Sequence, residues 1–232
     1  MSAFLQSPEW QTLLQVLPTL PFAMWETFYA VILSTLISLV IGLPLGVLLV
    51  AGEPGGILPL PKWVMGLLNA VINLMRSVPF LILMIFVLPL SRVLIGTSVG
   101  TIATIPPLVA AAFPFLSRLV ESSLREVDGG VIEAAQSMGA TPFQIITKVL
   151  IPESMPSLVA NTTIGLTTIL GYSAMAGIIG GGGLGQIAIN YGYYRYRYLT
   201  MAVATVLLIV LVQIFQTIGT RLTSRCDKRL RR

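Results

Sequence analysis

The sequence contains no histidine. That removes imidazole general bases, Ser-His-Asp and Cys-His catalysis, and histidine-ligated metal centres. One cysteine, Cys226, stands in the polar C-terminal tail, so neither an intrachain disulfide nor a cysteine cluster can form. The nine acidic residues are too few and too scattered for a calcium cage. Charge of either sign is scarce: Asp, Glu, Lys and Arg make up 10% of 232 residues, against about a quarter in a soluble domain. No Gly-Lys pair occurs, which excludes the phosphate-binding G-x-x-x-x-G-K-[ST] loop. The first twenty residues hold no Lys or Arg, so the positive region of a secretory signal is missing.

What is present is apolar. Hydrophobic residues reach 55% and the mean hydropathy is +0.89. The solvent for most of this surface is therefore lipid. A membrane span needs about 20 mostly apolar residues. Five stretches qualify, at about 27–52, 64–90, 93–117, 156–180 and 198–220. The reading is an all-α membrane protein with five transmembrane helices, residues 1–232 forming a single domain. The one long polar stretch, 118–153, lies between spans three and four.

The net charge of +5 comes from the tail, where Arg221, Arg225, Lys228, Arg229, Arg231 and Arg232 face one acid, Asp227. The rest of the chain carries eight basic and eight acidic residues. A basic segment after the last apolar run fits a cytoplasmic flank touching anionic membrane lipid. Nucleic-acid binding is excluded as the main reading, because no folded basic face accompanies the tail. With the N-terminus outside, Lys62, Arg118, Arg125, Lys148 and the tail fall in the cytoplasm, and only Arg92, Arg195 and Arg197 fall outside. The positive-inside rule selects this orientation, which makes the C-terminus and the polar stretch cytoplasmic.

Span two is longer than a bilayer requires, so its first part is expected at the cytoplasmic interface, with a kink at Pro79. It contains one charge, Arg76, expected to pair with backbone carbonyls or an acid in a structural role. No span carries an embedded carboxylate of the kind a proton-coupled carrier uses, which argues for an external energy source. On span four Asn161, Thr168, Tyr172 and Met175 fall on one helical stripe, beside Ser173. Such a stripe serves either helix–helix hydrogen bonding or a translocation path. Gly180, Gly182 and Gly185 satisfy G-x-G-x-x-G only because the stretch is nearly all glycine. No strand precedes it, so it reads as a flexible turn where span four leaves the membrane.

Within the cytoplasmic stretch, Asp128 can cap a helix through Glu133, Ala134 and Ala135, and Gly139 can end it in a left-handed turn. Thr141, Pro142 and Gln144 then form a capping-box start. This second helix is expected to stop before Pro152. A short helix, a glycine turn and another helix, held between spans, can either rest on the membrane or transmit force to another protein.

Glu133-Ala134-Ala135, then Gly139, then Val149-Leu150-Ile151-Pro152 resembles the EAA loop of permease subunits of ATP-binding-cassette (ABC) importers. Val149 and Ile151 depart conservatively from the Ile-x-Leu-Pro ending of that pattern. The resemblance implies a type I ABC importer permease fold in a bacterial inner membrane, with Glu133, Ala134, Ala135 and Gly139 coupling to an ATPase subunit. ATP would be bound by that partner, and no cofactor by this chain. Further matches resemble the methionine-importer permease group: Gly171 to Gly177, Gly182-Gly183-Leu184-Gly185-Gln186, Tyr191-Gly192-Tyr193, and Arg76-Ser77-Val78-Pro79-Phe80. They imply a homodimer, two ATPase subunits and an extracytoplasmic methionine-binding lipoprotein. Under that resemblance Asn161, Thr168, Tyr172, Ser173 and Met175 are candidates for the path. The Tyr- and Arg-rich stretch 191–198 suits either a protein interface or an aromatic belt.

Overall fold

The computed structural model describes residues 7–227. Lys228, Arg229, Arg231 and Arg232, four cations of the expected membrane-flanking tail, lie outside the described residues. Every regular element among the described residues is helical. Helix α1 (Pro8–Val16) starts at Ser7, whose hydroxyl accepts from the Trp10 N–H at 3.3 Å, with Pro8 in the first turn. A single 3₁₀ turn leads into α2 (Leu20–Ala51). Then come α3 (Lys62–Ser77), α4 (Phe80–Ile95) and α5 (Thr101–Arg125). The short α6 (Gly129–Ser137) and α7 (Pro142–Ile145) follow. A π-helical turn, Ile146–Leu150, joins α7 to α8 (Ile151–Ala176). The glycine-rich segment holds α9 (Gly183–Ile187), and α10 (Tyr198–Cys226) closes the order.

Among the described residues four helical stretches are long and apolar enough to cross a membrane, and a fifth span arises if α3 and α4 are counted as one broken helix. The chain turns by 106° between those two. Val78 is extended (φ −79°, ψ 127°) because the proline ring that follows disfavours helical backbone there, and Pro79 is extended as well. Two consecutive extended residues make a corner rather than the kink expected within 64–90.

Helix bounds differ from the apolar runs in several places. Gly96 (φ 86°) and Gly100 (φ 91°) interrupt the run expected as 93–117, so α5 begins only at Thr101 and carries Arg118 to Arg125 inside it. The expected stop before Pro152 does not occur. Pro152 sits in the first turn of α8, directly after a π turn whose i→i+5 pattern already breaks the ordinary ladder. Helix α2 begins seven residues before position 27 and therefore includes Glu26.

The chain forms two compact units. Of the described residues, one comprises 7–35, Pro79–Ala110 and Leu166–Phe215; the other comprises Leu36–Val78, Ala111–Gly165 and 216–227. In the first unit, Glu26 binds two chain segments: one carboxylate oxygen accepts the Thr101 hydroxyl at 2.8 Å, the other the Gly183 N–H at 3.1 Å. The Thr27 hydroxyl accepts the Leu184 N–H at 2.9 Å, and Gly100 N–H reaches the Gly180 carbonyl at 3.0 Å. Gly183 has φ 70°, and a Cβ there would lie 2.5 Å from the Thr27 hydroxyl. The glycine-rich segment is thus docked against its neighbours, not the flexible turn expected. In the second unit, Gly46 of α2 lets α5 approach closely, since a Cβ would lie 2.5 Å from Val120 Cγ1 and 2.8 Å from the Ser117 carbonyl oxygen. Without a hydrophobic force between helices in lipid, such small residues let dispersion hold them together. Val47, Ala51, Val120, Leu124, Leu150 and Leu158 form the core around this contact.

Candidate functional site

The helix–turn–helix of residues 128–150 lies wholly in the second unit. Asp128 caps α6, its carboxylate accepting the Gly130 N–H at 2.7 Å. The helix ends on Gly139 (φ 78°), with Ala140 N–H donating to the Ala135 carbonyl at 3.1 Å and Gly139 N–H to that of Gln136 at 2.9 Å. This is the left-handed stop that glycine accepts without a Cβ penalty. The expected capping box of α7 is complete: Thr141 N–H donates to Gln144 Oε1 at 2.9 Å, and Gln144 N–H donates to the Thr141 hydroxyl at 3.4 Å.

The segment has two faces. Ala135, Ile145 and Leu150 are buried, and Ile132 and Ile146 pack on the unit's core. Glu133, Ala134 and Gly139 are exposed, beside two large apolar side chains, Met138 (82% exposed) and Phe143 (73%). Three of the four residues singled out by resemblance therefore share an accessible surface. The fourth, Ala135, is buried.

An ion network holds the α5 end from which the segment departs. Arg118 donates to Glu121 at 2.7 Å and to the side-chain oxygens of Asn69 (2.7 Å) and Asn73 (2.9 Å) on α3. Arg125 bonds Glu121 at 2.8 Å and Glu53, in the stretch after α2, at 2.6 Å. The Arg125 hydrogen bond holds the Glu53 carboxyl below the usual carboxylate range, outweighing the opposing effect of burial. Sequence reading missed this network. The Arg118, Glu121, Arg125 spacing of three and four was its visible trace.

The stripe on α8 divides. Asn161 donates its amide to the Ser123 hydroxyl at 2.8 Å and to the Leu119 carbonyl at 3.3 Å, the helix–helix arrangement. Tyr172 stacks on Phe80, with ring centroids 4.4 Å apart and planes at 8°. The Ser173 hydroxyl bonds the Leu170 carbonyl at 2.8 Å, and Met175 is 46% exposed. Thr168 lies one turn before Tyr172.

Residues 42–228 match the family described as binding-protein-dependent transport system inner membrane component. The chain belongs to this family of inner membrane transport components. It is 50% identical over 210 residues to the probable D-methionine transport system permease protein MetI of Vibrio cholerae, covering 89% of this chain and 92% of that one. The Haemophilus influenzae protein of the same description is 42% identical over 207 residues, covering 89% and 97%. The D-methionine transport system permease protein MetI of Escherichia coli K12 is 48% identical over 153 residues, covering 66% and 70%. Among solved structures, the MetNI methionine ABC transporter in an inward facing conformation superimposes with a TM-score of 0.90 at 43% identity, covering 92% of this chain and 99% of that one. An amino acid ABC transporter with histidines shares the fold, with a TM-score of 0.70 at 18% identity. The permease is thus a multi-pass inner membrane component with the type I ABC importer permease fold that the EAA-like loop implies.

Proposed function

We propose that this chain carries methionine across the inner membrane as the permease subunit of an ABC importer, working as a homodimer by alternating access. The observation that carries the reading is the exposed patch of Glu133, Ala134, Met138, Gly139 and Phe143, rooted in α8 by an uninterrupted helix from Pro142. A groove on the ATPase subunit receives this patch. Closure of the ATPase pair on ATP draws the two patches of the dimer together, and the helix passes the displacement into the membrane. ATP binds and is hydrolysed on the partner; this chain contributes no catalysis and holds no cofactor. An extracytoplasmic lipoprotein supplies the substrate and its selectivity. The C-terminus lies in the cytoplasm, its basic tail near anionic lipid. Residues 1–232 act as a single translocation domain, in which Thr168, Tyr172, Ser173 and Met175 border the path.

The test is uptake of labelled methionine in cells lacking this chain, with and without it restored, under competition from other amino acids. Restored uptake competed only by methionine and its analogues is expected. Gly139→Asp and Glu133→Arg place an added or reversed charge on the docking patch and should abolish uptake while the protein still inserts. Wild-type uptake in both variants would remove the coupling assignment. Uptake that persists after ATP depletion would replace the importer by a carrier.

A further inference from the structure

Arg76 sits in the last turn of α3, at the corner before Pro79, and no hydrogen bond or ion pair joins its side chain to any other described residue. The acid or carbonyl partner expected for it is not there. The neighbouring network has none to give: Arg118 and Arg125 are matched by Glu121 and Glu53, two cations against two carboxylates. The C-terminal dipole of α3 favours a cation at this place but is worth only about half a charge. A guanidinium exposed on the polar face of α3 without a counter-charge is open to an arriving anion.

The faces of α3 limit which anion. At about 100° per residue, Trp63, Leu67, Val71 and Leu74 form one arc, 73%, 58%, 44% and 70% exposed. That arc is suited to hydrocarbon. Arg76 lies on the far side of the helix, about 160° from Leu74, on the stripe of Asn69 and Asn73. It therefore faces away from the surface a lipid tail would cover. Asn73 supplies a second donor. Arg118 can only donate, so the Asn73 oxygen must face it, and the Asn73 NH₂ group is left pointing elsewhere with no bond to a described residue. Arg76 follows three positions later, on the same face. A forked guanidinium and an oriented amide NH₂ together fit a carboxylate.

We propose that Arg76, assisted by Asn73, receives the carboxylate of the amino acid in transit and so helps to decide what the permease carries. The proposal rests on the amino-acid importer reading given above. The test uses the permease with its ATPase and binding protein in proteoliposomes, reading methionine imported per ATP hydrolysed. Loss of a charge-assisted pair predicts that Arg76→Gln lowers this ratio about tenfold or more, and Asn73→Ala by a smaller factor, while Arg76→Lys keeps part of it. Co-purification with the ATPase and the hydrolysis rate stimulated by loaded binding protein should stay at wild-type level. If Arg76→Gln does not assemble, Arg76→Met takes its place, since it keeps an unbranched stem of similar length without the charge.

An unchanged ratio in Arg76→Gln overturns the assignment. So does a fall in uptake matched by an equal fall in hydrolysis, which would make Arg76 structural. A defect seen only in vesicles containing anionic lipid would give Arg76 to a headgroup phosphate and overturn it as well. Wild-type complex that imports no methionine would instead bring down the functional reading, and this proposal with it.

Discussion

Replacing Glu26 tests whether the glycine-rich segment is held by design or by default. The carboxylate accepts two hydrogen bonds, from the Thr101 hydroxyl at 2.8 Å and the Gly183 N–H at 3.1 Å. Both donors belong to buried residues. Hydrogen bonds to a charged acceptor contribute about 1.5–3 kcal/mol each, and the two are not additive. Thr101 can rotate its hydroxyl towards another acceptor, but the Gly183 N–H is fixed by the backbone and is left unpaired in Glu26→Ala. The expected loss is therefore about 2–4 kcal/mol. For a chain of this size that corresponds to a fall in melting temperature of roughly 5–12 °C. Glu26→Gln keeps one carbonyl oxygen and should lose about half as much. The assay is tryptophan fluorescence of the detergent-purified complex at a fixed scan rate, because unfolding of such assemblies is seldom reversible. An Ala variant melting within about 1 °C of the wild type would refute the reasoning, since an orphaned buried donor alone should exceed that.

Other consequences are simpler to state. A Cβ at Gly46 would collide with Val120 and the Ser117 carbonyl, so Gly46→Ala should cost about 1–3 kcal/mol, read by the same melt. At Gly139 no atom lies within 4 Å of an added Cβ, so Gly139→Ala pays only for its left-handed backbone, about 1–2 kcal/mol, and Gly139→Asn less. Uptake should therefore rank Asn above Ala, and Ala above Asp. The Glu53 carboxyl is lowered from 4.5 in the folded protein, so its contribution is present above that pH and fades as pH falls below it. Because the pair is 45% and 43% exposed, Glu53→Gln should cost at most about 1 kcal/mol at pH 7. The same variant should flatten the melting profile below pH 4.5.

Local signals were legible in the sequence and distant ones were not. The Asp128 cap, the Gly139 stop and the Thr141–Gln144 box are each set by residues within five positions of one another, and all three stand where the sequence placed them. Charge-free runs located the apolar material but not the helix ends. Gly96 and Gly100 interrupt an apolar run without changing its hydropathy, and Glu26 was passed over because the run was begun after it. The partners of Asn161, and the two asparagine partners of Arg118, come from other helices, 38 to 49 positions away, and no spacing rule reaches that far. Pro152 misled for a different reason: a π turn before it absorbs the missing donor, and π turns leave no reliable mark in composition.

That π turn also sets how much change the chain can tolerate. Residues 142–176 run as helix throughout, so no slack lies between the patch around Phe143 and the side chains of α8. Removing or adding one residue between Thr141 and Pro156 would rotate everything after it on that helix by about 100° and move it by about 1.5 Å. Asn161 would turn away from Ser123, and Tyr172 from Phe80. The stretch between α2 and α3, residues 52–61, is irregular and can absorb such a change. Variation in length among related chains should therefore collect there and be purged from 142–156, leaving the count of residues in that rod as heritable as their identity.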